Sequence, residues 1–421
     1  MTKLIYSVLL CHFIAAFAAL GMPLFLPVVL PTLGASIDAD WAGVLFILPT
    51  FCTALAARFW GNFADRYGRR RSLLRAQLGL AAGFALCGFA DNLAMFVFGL
   101  IVQGTFGGTM AASNSYLSSQ IKEAKTLGKS LNKTQLSARL ALIVAPIGLG
   151  WSLSETNPLN AYLWLCVLPL IAMGITLTLP VDKPADQNLE KPNSEPQQEK
   201  PVAQKNAMHA IRWIFFAQFG FAFSMVVTFP YFSPFVQQYG ITNHAWIGFL
   251  YALPHGVYLL LAGKIHVLSD GLNRHQPLRT LWLGFALLAV SSALHLIASE
   301  TALIAARIIF GIAMVCCYHG LHQHLASNLD RKLSGKVFSR FDAMSKWGGV
   351  AAGFCASFIS SLGLLEVPFL LSAIVSVITL IALVLHFKIW KSTCYKLNPL
   401  RLASCARMRC SSTVRKPNST R

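Results

Sequence analysis

Twelve apolar stretches, each long enough to cross a bilayer and set apart by short polar segments, leave this 421-residue chain few folds to adopt. They run roughly over 4–33, 42–60, 73–90, 93–117, 136–153 and 161–179, then 209–235, 245–266, 278–298, 301–325, 341–361 and 367–387, numbered here as spans one to twelve. A span needs about 20 such residues at 1.5 Å rise. Charged residues make up only 12% of the chain, where a soluble protein carries about a quarter. Between spans six and seven, Pro180–Met208 is rich in Pro, Lys, Glu, Gln and Asn. Such a segment buries too little apolar surface to fold, and it is expected to be a disordered cytoplasmic linker. The expected fold is an all-α integral membrane protein: 1–179 as one six-helix bundle, 180–208 as linker, 209–391 as a second bundle. Residues 392–421 form a basic tail without helical periodicity, expected to be disordered.

The net charge of +19 could suggest a nucleic-acid partner, but its distribution argues for topology instead. Loops at about 62–75, 118–136, 264–279 and 327–340 hold sixteen Lys or Arg, whereas the loops on the other side hold none. That asymmetry is the positive-inside rule, and it predicts cytoplasmic N- and C-termini in a cell inner membrane. Met1–Leu33 is too long for a secretory leader and lacks a small-residue cleavage site, so it reads as the first span. Seven of the ten cysteines fall inside spans as small apolar residues, with no metal spacing and no expected disulfide.

The two halves repeat. Trp41, Gly43 and Pro49 return as Trp246, Gly248 and Pro254 at an offset of 205. Pro23, Pro27, Gly104 and Gly128 return as Pro230, Pro234, Gly311 and Gly335 at 207. Between spans two and three lies the most charged stretch of the membrane part: Gly61-Asn-Phe-Ala-Asp65-Arg66-Tyr-Gly68-Arg69-Arg70-Arg71. Five charges in eleven residues cannot sit in lipid, which predicts a short, tight loop. Gly61 would permit close approach of two helix ends, and Gly68 a left-handed turn. Asp65 can accept from a helix N-terminus or pair with an arginine.

This G-x-x-x-D-R-x-G-R-R-R run, with two repeated six-span halves and a polar linker, resembles the major facilitator superfamily over nearly the whole chain. The resemblance implies alternating access to a central site, with the Asp65–Arg70 loop as a gating element. Pro146, Gly148 and Gly150 in span five are similar to the Gly-Pro motif of the drug–proton antiporter branch, although Ala145 stands where that motif has glycine. Span four departs from the exporter pattern too: Gln103-Gly104 are present, but Leu100 occupies the arginine position. In the second half Arg307 stands at the equivalent place.

Candidate cargo residues follow from what a bilayer makes costly. At 100° per residue, Arg307, Tyr318 and His322 share one stripe of span ten with Gly311, and a buried charge there is expected to face a wet cavity. Arg139 in span five and Lys346 in span eleven are repeat equivalents; Lys346 has Asp342 one turn before it, an ion-pair spacing. His12, His255, His319 and His322 are candidates to carry a coupling proton, since histidine titrates near neutrality. No Asp or Glu falls in mid-span, so the cavity is expected to be positive and to prefer an anion.

The reading is a monomeric secondary transporter, working against the lipid bilayer on a small solute and a proton, with no cofactor, no metal and no nucleic acid. The cargo expected is an organic anion, a carboxylate-rich siderophore moving outward being the leading example. Import of an anion and multidrug efflux are the alternatives within the class; a membrane sensor or scaffold is the rival outside it. No nucleophile–base pair, metal cluster or phosphate loop argues for an enzyme or an ATP-driven pump.

Overall fold

The computed structural model describes residues 2–34, 41–121, 123–155, 157–181, 201–273, 278–327 and 334–397. All its elements are helices. In the first half they are Thr2–Gly21 with short turns through Leu33 (span one), Ala42–Tyr67 (two), Arg69–Gly88 (three), Leu93–Phe106 with Thr109–Gln120 (four), Ala124–Glu155 (five) and Pro158–Leu177 (six). In the second half they are Pro201–Val226 with Phe232–Gln237 (seven), His244–Ala262 (eight), Arg279–Leu294 (nine), Glu300–Ser327 (ten), Ser334–Ser360 (eleven) and Val367–Leu397 (twelve). Among the described residues, eight helical segments are long and apolar enough to cross a membrane, and Arg212–Val226 and Arg279–Leu294 are shorter apolar ones. Spans three and eleven make up the twelve; both open with arginines or lysines that dilute their apolar character.

Several boundaries differ from the sequence expectation for physical reasons. The segment 61–71 is not an open loop: the helix of span two continues to Tyr67 and the next begins at Arg69. Gly68 alone makes the turn, at φ 101° and ψ 145°, where a side chain would be strained. Span seven's helix starts at Pro201, inside the segment expected to be disordered, because proline is well suited to a first helical turn. Residues 182–200 lie outside the described residues. Span twelve continues to Leu397, into the stretch expected to lack helix, and 398–421 lie outside the described residues. A helix at Ile265–Asn273 occupies the loop expected over 264–279.

Spans one to six pack on one another, as do seven to twelve, and the two bundles meet along two helix pairs: five against eight, and two against eleven. The largest apolar cluster runs through the first of these halves into the second, from Phe25, Phe84 and Tyr162 to Phe235, Tyr251 and Phe369. The seven cysteines expected inside the spans are free.

The seam between the bundles

Glycine is what lets the paired helices touch. A Cβ on Gly248 would collide with the Pro146 carbonyl, and one on Gly150 with the His244 carbonyl. Further along the same pair, Arg139 Nη1 lies 3.2 Å from His255 Nδ1, in the same antiparallel register. The second pair mirrors the first: a Cβ on Gly43 would lie 2.6 Å from the Gly353 carbonyl. Gly43 and Gly248 correspond at offset 205, and Pro146 and Gly353 at 207, so the repeat visible in the sequence is a repeat of contacts. Gly148, between the two motif residues at the seam, is exposed with nothing in reach.

These contacts lie toward the side whose loops lack Lys and Arg. The N–H groups of Gly43 and Val44, in the first turn of span two, have no intrahelical partner. They donate across the seam to Tyr231 Oη at 3.1 Å and Ser357 Oγ at 2.9 Å, and the two hydroxyls are 3.2 Å apart. At the basic end the same seam stands apart: Gly61 is exposed with nothing within 4 Å, and Lys346 is exposed beside Asp342, at 3.0 Å. The close approach expected of Gly61 is therefore absent from this conformation, whose seam opens toward the basic side.

Arg139 is the cation that the seam holds. Half-buried in span five, it lies over the rings of Tyr258 and Tyr318 at 4.4 and 4.8 Å, both from the opposite bundle. His255 is 4% exposed and accepts from it, which requires a lone pair on Nδ1 and hence an uncharged imidazole. Among the described residues, no carboxylate is within ion-pair distance of Arg139. Tyr318 also packs edge-on against Phe221 at 4.9 Å, which fixes the ring beneath the guanidinium.

Arg307 sits elsewhere. It is 2% exposed, Nε donating to the Leu250 carbonyl at 2.8 Å and Nη2 to that of Tyr251 at 2.7 Å. Phe232, Tyr251 and Phe310 surround its guanidinium. The reason is Pro254: a proline four residues on cannot supply the N–H that Leu250 would accept. The helical stripe placed Arg307 on the right face of span ten, but that face meets span eight rather than a wet cavity. Lys346 is likewise held by Asp342, and His322 is exposed, with Nδ1 2.8 Å from the Tyr318 carbonyl. His12 is buried in the first bundle with Nδ1 unpartnered among the described residues, and His319 is half-buried in span ten. His255 is the proton candidate that a hydrogen bond brings to Arg139.

The arginine run reaches carbonyls near helix C-termini, the negative end of the helix dipole. Arg69 reaches the Ser115 carbonyl at 3.3 Å and lies 3.7 Å from Asp65. Arg70 reaches the Thr176 carbonyl at 3.1 Å and also that of Leu177. Arg66 lies exposed over Tyr67 at 5.4 Å. Sequence reasoning missed Arg75, which donates to the carbonyls of Phe106 and Gly107 at 2.6 and 3.0 Å and lies 3.7 Å over Trp60. A charge one turn inside an apolar stretch is the signal that could have found it.

A sequence profile of the Major Facilitator Superfamily matches residues 8–294 and 267–393. Multidrug resistance protein MdtG of Proteus mirabilis (strain HI4320) is 24% identical over 365 residues, 83% of this chain and 87% of its own length. MdtG of Escherichia coli O1:K1 / APEC is also 24% identical, over 85% of this chain and 88% of its own. Among solved structures, a peptide transporter POT in complex with sulfate superposes with TM-score 0.71 at 14% identity, covering 90% of this chain and 94% of the transporter. The fold, the paired seams and the profile agree: the chain is a multi-pass membrane transporter that belongs to the major facilitator superfamily.

Proposed function

We propose that this transporter exports a small organic anion by alternating access, with Arg139 as the residue that holds the cargo's negative group. The observation that carries this reading is the guanidinium at the seam. It sits between two tyrosine rings from the opposite bundle and bonds an uncharged histidine, with no carboxylate among the described residues to neutralise it. A carboxylate or similar oxyanion meets its fork geometry, and the rings supply faces for an organic body. A carboxylate-rich siderophore is one member of that class.

Efflux rests on the relatives, which are named for multidrug resistance. With the basic side in the cytoplasm, as the positive-inside rule has it, the present conformation opens to the cell interior, where an exporter loads. An anion leaving a cell is driven by the inside-negative potential at about 2.3 kcal/mol per charge per 100 mV. Proton exchange at His255 is therefore not required for an anion, whereas for a cationic drug it would be the driving step. The protein works as a monomer, since both bundles and the site between them come from one chain.

The test is accumulation in inverted vesicles of a labelled tricarboxylate and, separately, a labelled lipophilic cation, with pH and electrical gradients imposed in turn. Potential-driven accumulation of the tricarboxylate, lost in Arg139→Gln, is the expected result. Accumulation of the cation alone, driven by the pH gradient, would replace this reading with multidrug–proton exchange.

A further inference from the structure

The repeat makes the surroundings of Arg307 a template for the other half. Leu250, Tyr251 and Pro254 of span eight correspond at offset 205 to Leu45, Phe46 and Pro49 of span two, and Arg307 and Phe310 correspond at 207 to Leu100 and Gln103. Pro49 denies the Leu45 carbonyl its helical N–H as Pro254 does that of Leu250. Leu100 has no donor to offer in return. At this place the first bundle has a small cavity of about 10 Å³, lined by Leu45, Pro49, Leu100, Gln103 and Tyr162 among others. Gln103 is 7% exposed, lines that cavity, and its Oε1 has no hydrogen-bond partner among the described residues.

We infer that this cavity is a binding site for one structural water, which donates to the Leu45 carbonyl and to Gln103 Oε1. The water does for Pro49 what the Arg307 guanidinium does for Pro254. Magnitudes select water over the other donors that could serve. The volume is near the least that one water needs, and two or three neutral oxygens are about the partners that a buried water has. A bare metal cation asks for more oxygens than this cavity shows, typically six or more for calcium and six for magnesium. An apolar filler would leave a carbonyl and an amide oxygen buried and unpaired. The assignment is independent of the cargo reading, because the cavity lies inside one bundle, away from Arg139.

The consequence is mechanical. Span eight is fixed at its proline by two charge-assisted bonds to a side chain of span ten. Span two has no such guanidinium at its proline; the water supplies that bond, beside the direct Thr53 Oγ1–Gly104 carbonyl bond at 2.9 Å that ties the same turn to span four.

The experiment has two arms, neither of which reads transport. Electron microscopy of the full chain, at a resolution where other buried waters appear, should show a peak at hydrogen-bonding distance from both Leu45 O and Gln103 Oε1. An empty cavity there, or Gln103 turned to bond a protein donor, overturns the assignment. The second arm compares melting of the purified full chain carrying Leu100→Arg with Leu100→Met. If the cavity wants a donor, the arginine variant melts at or above the methionine variant, and adding Gln103→Leu removes that advantage. An arginine that lowers melting by several degrees, equally with Gln103 or Leu at 103, marks the cavity as apolar and dry and sinks the idea.

Discussion

Arg139 and Arg307 are both arginines in mid-span, and their neighbours assign them different work. Arg307 is used up on two backbone carbonyls, so Arg307→Leu should destabilise the protein by on the order of 2–3 kcal/mol. Melting of the purified protein reads this, and the protein that survives should still bind cargo with unchanged affinity. A loss of affinity without loss of stability would place Arg307 in the site after all. Arg139→Gln should do the reverse, leaving melting nearly unchanged and weakening an anion about 10–100-fold, the equivalent of one charge-assisted bond. His255 adds a proton readout. Around it are Arg139 from span five, Tyr251 and Tyr258 on its own helix, and Tyr318 and Arg307 from span ten. An anion seated on Arg139 releases Nδ1 and favours a proton there, so anion binding should take up a proton and tighten as pH falls. Calorimetry in buffers of different ionisation enthalpy measures it, and His255→Asn should abolish the uptake; proton release on binding would contradict the geometry. These roles were only half legible beforehand. Residue type and a 100° step find the face of a helix, but not whether that face meets a proline-bent neighbour or the opposite bundle.

At the scale of elements, what the sequence conceals is where a span breaks. Span four reads as one apolar run, yet its helix stops at Phe106 and restarts at Thr109, with Gly108 at φ 78°. A helix end inside a membrane leaves carbonyls that lipid cannot satisfy. Here each finds a donor: Gly104 O from Thr53 Oγ1 at 2.9 Å, Thr105 O from Trp60 Nε1 at 2.6 Å, and Phe106 O and Gly107 O from Arg75. The break is therefore a built feature, sustained by spans two and three. Gly107-Gly108 hinted at it, but two glycines alone also suit close packing, and only the donors on the facing helices tell the cases apart. Removing the forked donor should expose the result locally. Arg75→Ala should speed amide hydrogen exchange in Thr109–Gln120 more than in Pro158–Leu177, with Arg75→Lys intermediate because a point charge cannot serve two carbonyls as a fork does. Equal acceleration in both segments would mean that the arginine merely supports the whole bundle.

For the whole molecule, the plan of two repeated halves was legible because a bilayer demands long apolar helices and because the prolines and glycines recur at nearly one offset. The state of the seam was not, since both ends of a transporter are built from the same residues in every conformation. The seam is closed where span two begins, and its closure is partly a helix cap supplied by the other bundle. Gly43 and Val44 each have an N–H that the helix cannot use, and Tyr231 and Ser357 satisfy them only while the bundles touch. When that end opens, these groups must turn to water, so the hydroxyls favour the closed state by about 1 kcal/mol per bond. Tyr231→Phe together with Ser357→Ala should thus move the population toward opening on the side poor in Lys and Arg, by roughly tenfold or more. Gly248→Ala should act in the same direction by a different cause, because its Cβ would occupy the space of the Pro146 carbonyl. Spin labels placed on the two bundles at that end, one near Asn157 and one near Leu362, would report the change as a longer distance population in both variants. A shift in Gly248→Ala alone would mean that packing closes the seam and the trans cap only decorates it. No shift in either would mean that closure is set at the basic end, where Asp65 and the arginines stand.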